Sequence, residues 1–357
     1  MNSYFFVILT ADFHDKLFST NKLKLRNSFI WLFISAKKHY DLVMKSFKKL
    51  YQKLPPEFIE NLSAQYQPKV YGQILSGFMV GRPVTLRVNR IKTDTRRVME
   101  LFRAQNIKHE RVNWYDDALI IRNKREKDFE THQLFQAGQI YLQSLSSMIP
   151  PLALDPKPGM KILDLTAAPG SKSTQLAALM DNEGYILANE INLIRAERLK
   201  FNIERQGATI AEVRAGDGKR PDSSWNQFFD AVLLDAPCSG VGLFTMANSQ
   251  TYRGWSLRTV NQLAKEQRKL IEVAFNSLKP GGILVYSTCT LMREENEANI
   301  AWALEKFGSQ VSLEKIGLTL ATAVIQPARF DNQSNTALII IPTELYEGFF
   351  IAKLRKR

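Results

Sequence analysis

Between residues 161 and 306 the chain alternates short apolar runs with longer amphipathic stretches, and few folds accommodate that pattern. Strands are expected over residues 161–165, 185–189, 210–214, 231–234 and 282–286. Helices are expected between or after them, over residues 172–180, 193–206, 257–277 and 294–306. Such alternation implies a mostly parallel sheet with helices on both faces. Residues 337–341 and 348–353 read as two further strands, an antiparallel hairpin on the sheet edge. The expected fold is therefore α/β, a doubly wound, mostly parallel, Rossmann-like sheet with a C-terminal antiparallel hairpin.

A second unit precedes it. Pro55-Pro56-Glu57 opens a helix with proline in its first turn. Residues 84–88 read as a strand and 93–105 as a helix. Residues 112–114 and 118–121 read as short strands joined by Asp116-Asp117. This small α/β unit carries Arg82, Arg87, Arg90, Lys92, Arg96 and Arg97, and it is expected to grip phosphates; a solvated basic face is the plainer alternative. Pro150, Pro151, Pro156 and Pro158 suggest a joint between domains. The expected organisation is an unassigned extension at 1–43, a basic accessory domain at 44–150 and the large α/β domain at 151–357. Residues 1–43 join no clear pattern. An upstream start codon, with the working protein beginning near Met44, and an ordinary extra helix are the two readings.

Bulk composition narrows the partner. With 48 Lys and Arg against 35 Asp and Glu, the net charge is +13. That excess favours a polyanion, bound through phosphates with release of counterions; a charge that merely keeps the protein soluble is the competing view. The two cysteines exclude a disulfide framework, and the four histidines (His14, His39, His109, His132) show no metal-ligand spacing. A metal is not expected. No apolar run reaches the roughly 18 residues of a membrane span. A reduced, cytoplasmic protein is expected.

The chemistry converges on residues 230–242. An apolar run ends at Asp235, followed by Pro237, Cys238 and a loop with Gly240 and Gly242. In open α/β sheets ligands bind beyond the carboxyl ends of strands, so an acid and a thiol there are placed for work rather than packing. The other cysteine, Cys289, also follows an apolar run. Both thiols and Asp235 are expected to face one pocket.

The first strand runs into its helix through Asp164-Leu165-Thr166-Ala167-Ala168-Pro169-Gly170-Ser171-Lys172. Small residues let the backbone approach a ligand, and the helix start offers free N–H groups. The glycines of a phosphate loop and of a dinucleotide fingerprint are both missing. Glu190 ends the second strand, where an acid can accept from both ribose hydroxyls. Asp217 follows the third, where an acid could accept from an adenine amino group. Acids at three strand ends beside a glycine loop suit an adenosine ligand that carries a cation, and S-adenosylmethionine is one.

A thiolate is a strong nucleophile. Its addition to carbon 6 of cytosine makes carbon 5 enamine-like and able to attack a methyl group. Hydrogen bonding or protonation at N3 assists, and Asp235 could supply it. Spacing alone does not say which cysteine attacks.

With these residues in view, the chain resembles the Nop/Sun family of RNA (cytosine-5)-methyltransferases, of the bacterial ribosomal-RNA type. The resemblance covers about residues 54–354. It rests on Ala168-Pro169-Gly170-Ser171-Lys172, Asp235-Ala236-Pro237-Cys238-Ser239-Gly240, Ser287-Thr288-Cys289-Thr290, Glu294-Glu295-Asn296-Glu297 and Glu347-Gly348-Phe349-Phe350. It implies that Thr166, Ala167, Ala168, Pro169, Gly170, Ser171, Lys172, Glu190, Asp217 and Asp235 contact S-adenosylmethionine. It implies Cys289 as the nucleophile on carbon 6 and Cys238 as the group that helps release the product. Some members continue past the Phe349 hairpin into an added RNA-binding domain. Substrate choice is here expected to rest on the segment before Pro150 and on the rim of the sheet.

The expected reaction is methyl transfer to carbon 5 of a cytidine in RNA, ribosomal RNA before transfer RNA. Trp255, Trp114 and Tyr252 are proposed as stacking surfaces for a base taken out of its stack. Competing readings are methylation of a nitrogen or a small molecule, which needs no cysteine, and a non-catalytic RNA-binding assembly factor.

Overall fold

The computed structural model describes residues 50–320, 322–330 and 333–357; the expected extension at 1–43 lies outside them. Two helices come first, α1 (Pro56–Gln65) and α2 (Pro68–Met79), each with proline in its first turn. There the missing N–H has no intrahelical acceptor to lose.

A four-stranded antiparallel sheet follows, in the order β2-β3-β1-β4. Its strands are β1 (Val84–Val88), β2 (His109–Val112), β3 (Tyr115–Ile121) and β4 (Ile140–Leu142). Helix α3 (Thr95–Ala104), capped by Asp94 accepting from the Arg97 N–H, buries Val98 and Phe102 against Leu86, Leu119 and Ile121. The turn between β2 and β3 is at Asn113-Trp114, since Val112 pairs with Tyr115. The expectation of a turn at Asp116-Asp117 is corrected: both acids lie within β3. Asp117 is held there by Thr95, whose hydroxyl donates to it at 3.0 Å.

The proline cluster is not a joint. Pro150 and Pro151 are buried inside helix α4 (Leu145–Leu154), so a boundary between residues 150 and 151 would cut it. Proline in a helix interior leaves a carbonyl one turn back without its N–H partner. Opposite Pro151 that carbonyl belongs to Ser147, and the Gln143 side chain donates to it at 3.2 Å. The helix is therefore tolerated, and it packs on the large sheet.

That sheet has nine strands, with the path β11-β12-β13-β9-β8-β5-β6-β7 and β10 paired to β13. Strands β5 (Lys161–Asp164), β6 (Tyr185–Glu190), β7 (Ala211–Ala215), β8 (Phe229–Asp235) and β9 (Leu278–Thr288) are parallel. Strands β10 (Val311–Glu314), β11 (Val324–Phe330), β12 (Gln333–Ile341) and β13 (Phe349–Lys356) add antiparallel pairing. The terminal hairpin is therefore interior to the sheet: β13 pairs with β9, and β11 rather than the hairpin forms that edge.

Helices α5 (Ser171–Leu179), α6 (Leu193–Gln206), α7 (Leu257–Ser277) and α8 (Glu297–Phe307) complete the winding. Side chains alternate across each strand. Leu233 and Val285 join Met148, Leu176 and Leu199 in one core. Val232, Leu284 and Tyr286 are buried toward α7, where the Tyr286 hydroxyl donates to Gln267 at 3.2 Å. The sheet is thus buried on both faces, which is why its central strands are apolar throughout. Strand order reverses between β5 and β8, and there the crevice for a ligand opens.

Candidate functional site

Asp235 ends β8 and stands opposite Ser287 of β9. The loops that leave these two strands carry Cys238 and Cys289, and their Sγ atoms lie 3.2 Å apart. The Ser287 hydroxyl donates to Asp235 Oδ1 at 2.7 Å, and Lys172 Nζ donates to Oδ2 at 2.6 Å. Lys172 also donates to Ser147 Oγ at 2.9 Å, which ties α5 to α4. Proximity to Cys289 and burial push the Cys238 thiol well above the ordinary thiol range. A cleft of about 920 Å³ opens over this centre, with Lys172, Asp235, Cys289 and Phe349 in its wall. Its lining also includes Lys124, Arg125 and Lys127 of the accessory unit.

Close backbone contact joins the thiol loops. The Gly242 N–H donates to the Cys289 carbonyl at 2.9 Å, and the Gly348 N–H donates to the Gly242 carbonyl at 2.9 Å. A Cβ on Gly242 would lie 1.8 Å from the Gly348 oxygen. Only glycine permits this approach.

The cofactor side lies along the same strand ends. Thr166 leaves β5 and its hydroxyl donates to the Asp235 carbonyl at 2.8 Å. Ala167 is fixed by its N–H to the Asn189 carbonyl at 2.8 Å, and the Gly170 N–H closes the turn on Ala167 at 2.8 Å. Gly170 has φ +104° and leads into α5 at Ser171. The Arg195 guanidinium donates to the Ala168 carbonyl at 2.8 Å, and the Asn202 amide donates to the Pro169 carbonyl at 2.8 Å. Glu190 is buried at the end of β6, accepting from the Asn192 N–H at 2.9 Å. Asp217 accepts from the Lys219 N–H at 3.0 Å in the loop after β7. Ile191, beside Glu190, is 58% exposed, an apolar face of the kind a purine covers. The set is rich in acceptors, and Lys172 is already tied to Asp235. It fits a ligand with hydroxyls, an amino group and a positive centre rather than one with phosphates. Asp164, at the end of β5, is fully buried, and burial pushes its carboxyl up to about 7.

Several expected roles are corrected. Arg87 is completely buried, donating to Gln143 Oε1 and Thr174 Oγ1 at 3.0 Å each. Arg82 donates to the Thr343, Tyr346 and Gly77 carbonyls, and Lys92 donates to the Ala137 and Arg205 carbonyls. Arg87 is enclosed by the protein and cannot grip phosphates as expected, whereas Lys92 is exposed and Arg82 lines the cleft, both tied to backbone carbonyls. Tyr252 and Trp255 are buried around Phe244 and Phe58, and the Trp114 indole donates to the Tyr346 hydroxyl at 2.7 Å. Tyr252 and Trp255 offer no free face to a base, whereas Trp114 is half-buried with its edge held by Tyr346. Sequence reasoning also missed Glu295 and Asn296, expected on a helix but lying in the turn before α8, where both are fully buried against the thiol loops. Among the described residues no group of three or more His, Cys, Asp or Glu could hold a metal ion, and no helix is long and apolar enough to cross a membrane.

Fold and site together define a Rossmann-like methyltransferase with a two-thiol centre. The family described as 16S rRNA methyltransferase RsmB/F matches residues 151–355, and its ferredoxin-like domain matches residues 54–127. The chain belongs to this RsmB/F methyltransferase family. It is 36% identical to a tRNA (cytosine(49)-C(5))-methyltransferase of Pyrococcus abyssi, over 87% of this chain and 99% of that protein. It is also 36% identical to ribosomal RNA small subunit methyltransferase F of Escherichia coli, over 76% of this chain and 57% of that protein. The chain thus spans a little over half the length of the latter. A solved methyltransferase homolog from Pyrococcus horikoshii superimposes with a TM-score of 0.70 at 30% identity, covering 85% of this chain and 100% of that one.

Proposed function

We propose that this protein transfers a methyl group from S-adenosylmethionine to carbon 5 of a cytidine in RNA, with Cys289 as nucleophile. The contact of Cys238 with Cys289, which lines a wide cleft together with Asp235, is the observation that carries this reading. Thr166, Ala167, Ala168, Pro169, Gly170, Glu190 and Asp217 would hold the cofactor, with Ser171, Lys172 and Asp235 at its base-facing end. Bound there, S-adenosylmethionine supplies an electrophilic methyl group on a sulfonium.

In the reaction the Cys289 thiolate adds to carbon 6 of the cytosine, and the ring's electron pair moves to carbon 5, which takes the methyl. Asp235, oriented by Ser287 and Lys172, accepts from the polar edge of the base and supports protonation at N3. A base then removes the carbon 5 proton, the carbon 5–carbon 6 double bond re-forms and Cys289 leaves as thiolate. Cys238, in contact with Cys289, is the group assigned to this release. A thiol that holds its proton tightly is a strong base once ionised.

The residues before α4 would act as the RNA-binding accessory domain, and those from α4 onward as the methyltransferase domain. Lys124, Arg125 and Lys127 are exposed in the cleft wall and suit RNA phosphates. Two reduced thiols fit the cytoplasm. The family description favours ribosomal RNA as substrate. A transfer RNA substrate is the second reading, favoured by the full-length likeness to the archaeal enzyme.

Mapping 5-methylcytosine in total RNA, with and without the protein, tests the proposal. A cytidine that loses its methyl group in the protein's absence is expected, and its position tells ribosomal from transfer RNA. Purified protein that methylates neither kind of transcript would favour a non-catalytic assembly factor.

A further inference from the structure

The Glu294-Glu295-Asn296-Glu297 motif has no part in the chemistry described so far. Its two middle residues have fully buried side chains. Glu295 accepts from the Ser239 N–H at 2.9 Å, from the Ser239 hydroxyl, and from Gln267 Nε2 at 3.0 Å. The same Gln267 nitrogen donates to the Pro237 carbonyl at 2.9 Å. Both neighbours of Cys238 are thus fixed from Glu295, one directly and one through Gln267. Asn296 does the corresponding work at the other thiol. Its Oδ1 accepts from the Thr288 hydroxyl at 2.6 Å, and its Nδ2 donates to the Thr290 carbonyl at 3.0 Å. Both neighbours of Cys289 are held by that one amide.

We propose that Glu295 and Asn296 are positioning residues with separate roles, Glu295 setting the loop of Cys238 and Asn296 the loop of Cys289. The inference rests on the assignment of Cys289 to attack and Cys238 to release. It follows that neighbouring residues in one turn govern different steps of one reaction. Glu295 receives three donors, which only a carboxylate can satisfy at both oxygens. A glutamine would turn the Ser239 hydroxyl from donor to acceptor and replace charge-assisted bonds with weaker neutral ones. The Cys238 loop would then move, and a displacement of about 1 Å can slow a step on the order of a hundredfold. Removing the Asn296 amide frees the Cys289 loop instead and slows formation of the first bond.

The test uses the full chain with radiolabelled S-adenosylmethionine and transcripts of 16S ribosomal RNA and of a transfer RNA. Covalent protein–RNA species are counted on denaturing gels, and methyl groups are counted in free RNA. Glu295→Gln should accumulate methylated RNA bound to protein, on the order of tenfold over the unmodified protein. Asn296→Ala should lose methyl transfer to a similar extent with no such accumulation. If Glu295→Gln does not fold, Ser239→Ala removes one of the same bonds and should accumulate the covalent species to a smaller degree. Turnover by Glu295→Gln at the normal rate, equal loss in both variants without accumulation, or no accumulation in Ser239→Ala would each overturn the proposal. Cys238→Ala serves as the reference. If it fails to accumulate the covalent species, the assignment of the thiols is wrong; if it accumulates while Glu295→Gln does not, only the present inference fails.

Discussion

At the scale of single residues, the site depends on groups that cannot be exchanged for near neighbours. Gly242 lets two backbones pass within contact of the Cys289 carbonyl, and a methyl group there would meet the Gly348 oxygen at 1.8 Å. Gly242→Ala should therefore abolish methyl transfer and lower the melting temperature; normal turnover in that variant would show that the loops need not touch. Asp164 gives a prediction with a sign. Its carboxyl, ordinarily near 3.8, is raised to about 7 by burial, so between those values the folded chain keeps a proton that the unfolded chain releases. Its contribution to stability accordingly falls as pH rises through that window. Asp164→Asn removes this term. The melting temperature of the variant should gain on that of the parent from pH 4 to pH 7, and parallel curves would refute the raised value. The positions of Cys238, Cys289, Asp235, Glu190 and Asp217 were legible in the sequence because each ends a strand or lies within a few residues of its end, and a strand end is a position that sequence can mark. Glu295 and Asn296 were not. A charged residue before a helix reads as a solvated first turn, and only the tertiary fold turns these two inward.

At the scale of elements, the parallel strands and long helices were readable because their apolar periods are long and uninterrupted. The misreadings have local causes. Prolines 150 and 151 signalled a linker, but a side-chain amide from Gln143 serves the carbonyl at Ser147 and the helix continues. The hairpin was expected on the edge because nothing in its own pattern announces β11 beyond it. Arginine in β1 reads as a basic surface, yet Arg87 points to α5 and is closed off by Gln143 and Thr174. It joins the accessory sheet to the large domain. Truncation would leave both partners without their donor, at roughly 1–3 kcal/mol for each group left unsatisfied. Arg87→Ala should lower stability measured by denaturant without altering the salt dependence of RNA binding. An unchanged midpoint would mean that the buried guanidinium adds nothing.

At the scale of the whole molecule, the net charge of +13 indicated a polyanion but could not say which cations meet it. Burial and internal bonding make that division: Arg87 is enclosed, and the half-buried Arg82 and exposed Lys92 are tied to backbone carbonyls, whereas Lys124, Arg125 and Lys127 stand exposed at the cleft. Replacing the latter three with alanine should weaken RNA binding and reduce the slope of log affinity against log salt by roughly 2, at about 0.7 for each phosphate contact to a single strand. An unchanged slope would place the RNA elsewhere. The covalent step itself is tested most directly with RNA that carries 5-fluorocytidine in place of cytidine. Fluorine blocks loss of the carbon 5 proton, so the bond between enzyme and base cannot be released. After digestion, mass spectrometry should find the modified nucleotide on the peptide containing Cys289. A nucleotide on the Cys238 peptide, or no covalent product with either thiol, would contradict the account.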